Sequence, residues 1–288
     1  MDNTAKWLRA MLAFGYSSYH FWECVDIDNP SESLERFLAS DRLDNQYVRR
    51  ARNIRDCDIE QLRELCVNNR ITILNYTDKD YPGMLRHIID PPPVLFVYGD
   101  PKSLNTPHSA AIVGARNCSD YSSRVANNFG YELARQGITV VSGCARGVDS
   151  AAHWGAVNAG GITISVLGCG ILCDYPSNSL RLKQSIAVRG AVISEFLPYE
   201  PPQRDYFPTR NRIISGLCEC VTVVEASSRS GALNTVSHAA EQGREVFAIP
   251  PSCIYGDRYR GQMELHKDGV EFVLSPQDIV DFINNRYK

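Results

Sequence analysis

Through the first part of the chain, apolar residues recur at helical spacing. Trp7, Leu8, Met11, Leu12 and Phe14 form one stripe, Leu34, Phe37 and Leu38 a second, and Ile59, Leu62, Leu65 and Cys66 a third. Steps of three and four residues put such positions on one face of a helix. Ser31 and Ser33 are candidate caps for the second stripe, and Asp58 precedes the third. Asn29-Pro30 and the polar run from Asp41 to Asn45 punctuate the segment. Residues 1–69 therefore read as a small all-helical domain whose role the pattern does not reveal.

Near Ile71 the texture changes to short Ile- and Val-rich runs that alternate with helical periodicity. Ile71 to Tyr76 and Val94 to Gly99 read as strands, joined through Tyr81-Pro82 and Pro91-Pro92-Pro93. A regular series follows: Ala110 to Gly114, Thr139 to Gly143, Ile162 to Gly168, Ala191 to Glu195, Val221 to Glu225 and Glu245 to Pro250. Continuous apolar runs fit strands buried on both faces, as in a parallel sheet covered by helices. Right-handed crossovers then give an α/β domain over residues 70–288, a doubly wound, mostly parallel and extended Rossmann-like sheet.

Composition narrows the class. Of 288 residues, 44% are hydrophobic and 22% charged, which suits a globular protein and argues against a disordered one. No apolar run reaches the ~20 residues that cross a bilayer. Lys6 and Arg9 interrupt the N-terminal stripe, so Met1 to Phe14 does not read as a signal peptide and the expected compartment is the cytoplasm. The ten cysteines are then expected as free thiols: Cys218-x-Cys220 and Cys169 to Cys173 lack zinc-knuckle spacing, and no metal is expected. The net charge of −3 leaves a nucleic-acid partner open, because binding depends on where arginines cluster.

In doubly wound sheets the ligand lies at the carboxyl ends of the strands. There the chain carries Gly114-Ala115-Arg116, then Ser142-Gly143 running into Arg146-Gly147, then Gly168. Glycine lets a backbone approach an anion closely, a following helix N-terminus points free N–H groups at it, and arginine adds charge-assisted contacts. Several such turns on one sheet edge predict an anion-binding cleft. A G-x-G-x-x-G fingerprint after the first central strand and a Walker lysine are both missing, so no nucleotide cofactor is expected. Two further segments join this edge: Arg204 with Tyr206, Phe207, Arg210, Asn211 and Arg212, and the Arg229-Ser230-Gly231 turn. Aromatic rings beside arginines are what base stacking needs, although the same rings can serve a core. One of Arg210 and Arg212 is expected to be structural, paired with Glu195 or Glu225. Asp149 reads as a helix N-cap and His153 as a packed residue, and no nucleophile arrangement emerges from the spacing.

Collinear motifs then carry a specific resemblance. Asp80-Tyr-Pro-Gly, Asp90-Pro-Pro-Pro-Val-Leu-Phe, Val113-Gly-Ala-Arg, Val141-Ser-Gly-Cys-Ala-Arg-Gly-Val-Asp, Asp174-Tyr-Pro, Phe207-Pro-Thr-Arg-Asn-Arg and Gly243-Arg-Glu-Val-Phe-Ala-Ile-Pro span nearly all of residues 70–250. This part resembles the DNA-processing protein A family, also called DprA or Smf. The resemblance implies a dimeric, non-enzymatic protein that binds single-stranded DNA and helps load the RecA recombinase in natural transformation and recombination. It also implies that Gly114 to Arg116, Ser142 to Asp149 and Arg210 to Arg212 line one DNA pocket, with Arg204 at a position that is often basic. Ala115 departs from the family by standing where serine is frequent. The competing expectation is a nucleotide-binding Rossmann-like enzyme of the nucleoside monophosphate phosphoribohydrolase type, with Glu195 or Glu225 as acid or nucleophile. Its Pro-Gly-Gly-x-Gly-Thr loop is missing from Arg229 to Thr235.

Overall fold

The structure, a computed structural model, describes residues 2–286. Five helices come first: α1 (Asn3–Phe14), α2 (Ser18–Cys24), α3 (Pro30–Ala39), α4 (Gln46–Asn53) and α5 (Asp56–Asn68). The three stripes lie on α1, α3 and α5, but their starts differ from the expected ones. Helix α3 begins at Pro30 behind Asn29, and the Ser33 hydroxyl donates back to the Asn29 carbonyl (2.8 Å) instead of capping. In α5, Asp58 lies in the first turn, its carboxylate accepting from the Arg55 N–H (3.3 Å) and guanidinium. The polar run before Gln46 is a cap: Asn45 Oδ1 accepts from the N–H of Tyr47 (2.8 Å) and Val48 (3.3 Å).

Strands β1 (Ile71–Asn75) and β2 (Val94–Gly99) follow, then β3 (Ser109–Gly114), α6 (Asp120–Arg135), β4 (Thr139–Ser142), α7 (Val148–Asn158) and β5 (Thr163–Val166). The chain continues through α8 (Leu180–Ala187), β6 (Ala191–Ser194), α9 (Tyr206–Gly216), β7 (Cys220–Glu225), α10 (Ala232–Glu241) and β8 (Glu245–Ala248), ending with α11 (Arg260–Lys267), β9 (Glu271–Phe272) and α12 (Pro276–Arg286). Among the described residues the nine strands form one sheet in the order β1-β2-β6-β5-β4-β3-β7-β8-β9. From β6 to β9 every neighbour is parallel, while β1 and β2 add antiparallel strands at the β6 edge. This is the doubly wound, mostly parallel Rossmann-like sheet expected from the apolar runs, with β9 too short and polar to have been foreseen.

The strands alternate between two buried faces, as a pleated backbone requires. Ala110, Ile112, Val140 and Val224 face the layer of α6, α7 and α12. Ala111, Val113, Val141 and Val223 face the layer of α9 and α10, in a core that runs on without interruption to Trp7, Phe14 and Phe21 of the N-terminal helices. Trp22 fixes that junction by donating its indole N–H to the Pro91 carbonyl (2.7 Å). The chain leaves β3 to build β4, β5 and β6 on one side, then crosses back through α9 to β7 on the other. The strand order therefore reverses at β3 and β7, which opens a crevice at their carboxyl ends.

Candidate nucleic-acid interface

Two adjoining cavities of about 740 and 470 Å³ occupy that crevice, and both are lined by Arg116, Asn117, Ala145, Phe207 and Arg210. The turn after β3 is held from the β7 side. The Glu225 carbonyl accepts from the Ala115 N–H (2.8 Å), and the Glu225 carboxylate accepts from the Ser119 N–H (2.9 Å) and hydroxyl (2.8 Å) and from Arg258 Nη1 (3.1 Å). With its ends pinned, the turn leaves Arg116 exposed, its guanidinium 4.8 Å from the centroid of the Phe207 ring. Such a cation–π contact orients the arginine without using up its hydrogen-bond donors.

The turn after β4 depends on glycine. Gly147 has φ +77°, and a Cβ there would lie 2.4 Å from the Ala115 carbonyl oxygen, so only glycine lets the two turns touch. A Cβ at Gly143 would meet the Arg210 guanidinium at 2.6 Å. That arginine, 4% exposed, reaches back from α9 and donates to the carbonyls of Gly143 (3.0 Å) and Val166. Burial pushes its pKa down, and the attraction of Asp149 offsets part of the loss. Asp149 is buried beneath the same turn and accepts from the N–H groups of Gly143 (3.2 Å) and Ala145 (3.3 Å). Burial raises its pKa to about 6 against the pull of Arg210 and those two bonds. The N-cap position of α7 belongs to Gly147, so Asp149 braces the preceding turn from inside the first turn of the helix rather than capping it. His153 is packed as expected: its Nδ1 meets Thr163 Oγ1 at 2.7 Å, and burial lowers its pKa to about 3.

Of the sixteen residues singled out in the sequence, the crevice gathers Gly114, Ala115, Arg116, Gly143, Arg146, Gly168, Arg204, Phe207, Arg210, Asn211, Ser230 and Gly231 along its walls. Four lie elsewhere. Ser142 is buried under the turn, donating to the Ile112 carbonyl (2.6 Å), and Gly147 shapes the backbone behind the wall. Arg229 is exposed on the loop beyond β7, outside both cavities. Arg212 requires a correction: it does not face the crevice. Its guanidinium grips Glu195 with both terminal nitrogens (2.7 and 2.6 Å), Asp90 Oδ2 (2.9 Å) and the Ser18 hydroxyl (2.9 Å). Burial alone would lower its pKa, but Glu195 and Asp90 outweigh that and raise it. Arg212 is thus structural with Glu195 as its partner, which leaves neither free for chemistry, and Arg210, although it borders the crevice, is buried and braces the turn as well. Glu225 pairs with Arg258 instead.

Phe207 and Tyr206 also divide. Phe207 stands in the crevice with Tyr175 beside it (centroids 5.4 Å), whereas Tyr206 stacks on Phe196 (4.0 Å) and bonds Glu200 as part of the core. Sequence reading missed Arg258, Tyr175 and Asn117. Asn117 directly follows Arg116, and the Asp174-Tyr-Pro motif held the signal for Tyr175. Arg258 sits in a single 3-10 turn, Asp257–Tyr259, whose approach to β7 only the fold reveals. The crevice thus gathers Arg116, Arg146, Arg204, Arg210 and Arg258 against Asp149 and Glu225, a net positive wall. Among the described residues, no group of three or more His, Cys, Asp or Glu is placed to hold a metal ion, and no helix is long and apolar enough to cross a membrane.

Fold and crevice together define a doubly wound Rossmann-like protein with a basic cleft at the switch point of its sheet. The family model of DNA recombination-mediator protein A matches residues 72–284, and the chain belongs to that family. It is 39% identical over 216 residues to the DNA processing protein DprA of Bacillus subtilis, covering 75% of this chain and 72% of that protein. It is 41% identical over 203 residues to the DprA of Streptococcus pneumoniae, covering 70% and 71%. The solved structure of the Streptococcus pneumoniae protein superposes with a TM-score of 0.79 at 32% identity, covering 98% of both chains. A structure of DNA processing protein A from Helicobacter pylori, which gives insight into that protein's single-stranded DNA binding mode, aligns with a TM-score of 0.66 at 29% identity, covering 76% of this chain and 96% of that one.

Proposed function

We propose that the crevice binds the backbone of single-stranded DNA, and that the protein acts without catalysis as a cytoplasmic homodimer that helps load RecA during natural transformation and recombination. The observation that carries the reading is convergence: Arg116, Arg146, Arg204 and Arg210 come from separate segments and line a single concave wall. Phosphates would lie against the turn of Gly114 to Arg116, with Ser230 and Gly231 on the far wall. Phe207, half-buried and with Tyr175 beside it, offers a stacking face for an unpaired base. A duplex hides its base faces, so single strands are favoured. Catalysis by a carboxylate is disfavoured because Glu195 is held by Arg212 and Glu225 by Ser119 and Arg258. In this proposal residues 70–288 form the DNA-binding domain and residues 1–69 a small helical domain that shares its core.

The test is fluorescence anisotropy with a labelled oligothymidine. The double substitution Arg116→Ala with Arg204→Ala is expected to weaken binding by at least roughly tenfold, two charge-assisted phosphate contacts being lost. Unchanged affinity would refute the site. A strand-assembly assay with RecA on oligonucleotide then tests the mediator role separately.

A further inference from the structure

Helix α4 carries a basic surface that the crevice does not use. Arg49, Arg50 and Arg52 lie on it with no acidic residue between Gln46 and Asn53, and all three are exposed. Arg52 pairs with Asp41, but among the described residues Arg49 and nearby Arg42 have no acidic partner. Val48 and Ala51 bury the opposite side of the helix, so the arginines are held facing solvent. Arg50 lies 6.0 Å over the ring of Tyr47, itself stacked on Phe14.

Two groups of rings, Tyr47 with His20 and Tyr19, and Tyr16 with Tyr206, lie between this surface and the chain segment that enters the crevice. The His20 centroid is 5.9 Å from that of Tyr47, and the Tyr19 centroid is 5.5 Å from that of His20, both residues being exposed on α2. Ser17 at the start of α2 binds the His20 ring (2.6 Å), and the preceding residue, Tyr16, sets its ring 5.9 Å from Tyr206. Tyr206 is the chain neighbour of Phe207 in the crevice. Two acids border this route: Glu200 is engaged by the hydroxyls of Tyr16 (2.8 Å) and Tyr206 (3.0 Å) and by Gln203 (3.1 Å), and Glu23 by the Tyr19 hydroxyl. Rings at this spacing beside unpaired arginines are the features of a sequence-tolerant single-strand track.

We infer that single-stranded DNA leaving the crevice continues over Tyr19 and His20 to phosphate contacts with Arg49 and Arg50 on α4. The inference rests on the crevice reading above, and strand length separates the two. The experiment compares oligothymidines of about six and about thirty nucleotides, the shorter near the size of one small binding site. With Arg49→Ala and Arg50→Ala together, the longer strand is expected to bind about tenfold more weakly and its log–log salt slope to fall by about 1.4, while the shorter strand binds as before. Replacing both by lysine should restore most of the affinity, because a phosphate contact needs the charge. Unchanged affinity for the longer strand overturns the inference, and so does an equal loss for both lengths, which would place the damage in the crevice. A short strand that fails to bind the unsubstituted protein overturns the crevice reading and with it the path from crevice to α4, a failure distinguishable from loss of the longer strand's response alone.

Discussion

Arg116 and Arg212 show how two residues of one type take opposite roles through their surroundings. Arg116 is exposed, rests on Phe207 and retains its hydrogen-bond donors. Arg212 is buried and spends its donors on Glu195, Asp90, Ser18 and the Thr209 carbonyl. Removing it strands a buried carboxylate, so Arg212→Ala is expected to lower the unfolding free energy by about 3–5 kcal/mol in urea titration. Arg116→Ala should shift stability by less than about 0.5 kcal/mol while weakening DNA binding. The reverse pattern would mean that the two assignments are exchanged. At Gly147 the backbone is decisive: alanine would be strained at φ +77° and would collide with Ala115, so Gly147→Ala is expected to cost at least about 1–3 kcal/mol by thermal unfolding. The sequence led to the expectation that one of Arg210 and Arg212 is structural, without saying which; the structure buries both, Arg212 against carboxylates and Arg210 against backbone carbonyls at the crevice wall. Two residues apart in one turn of α9, they lie roughly 200° apart around the helix and so point to opposite sides, and that direction depends on where β6 and the Asp90 loop end up.

At the scale of the element, α7 carries two buried titrating groups one turn apart, Asp149 and His153. Asp149 has its folded pKa raised from 3.8 to about 6, so the folded state holds the proton more tightly than the unfolded one. Its contribution to stability is present below pH 4 and is lost as pH rises through about 6. His153 has its pKa lowered from 6.5 to about 3, so its contribution is present above pH 6.5 and is lost as pH falls. Between pH 4 and 6 the two slopes, each about 1.4 kcal/mol per pH unit, oppose one another. Asp149→Asn should expose the histidine slope: on acidification from pH 6 to pH 4, the variant is expected to lose about 3 kcal/mol relative to the unsubstituted protein. Parallel stability curves for the two proteins over that range would contradict it. The helix was legible from its apolar spacing, yet its cap was not. Asp149 reads as an N-cap by residue type, but the tight Gly147 turn starts the helix two residues earlier and leaves the carboxylate to brace the Gly143 and Ala145 amides.

On the scale of the whole molecule, the sheet order decides which turns meet. The runs that become β3, β4 and β5 and the starts of α9 and α10 are far apart in the chain, and the return crossover through α9 brings them to one edge. Buried parallel strands announce themselves as continuous apolar runs, which is why this architecture and most of the crevice could be read from the sequence. Short or irregular segments do not: α2, α4, β9 and the loop holding Arg258 acquire their conformation from packing. The central claim is that these scattered arginines act as one polyanion-binding wall. Its most direct test is the salt dependence of oligothymidine affinity, compared between the unsubstituted protein and the triple variant Arg116→Ala, Arg146→Ala and Arg204→Ala. A single-strand phosphate contact contributes about 0.7 to the log–log slope, so the triple variant should lower the slope by about 2 along with the affinity. An unchanged slope would contradict the account, because it would mean that these arginines touch no phosphate.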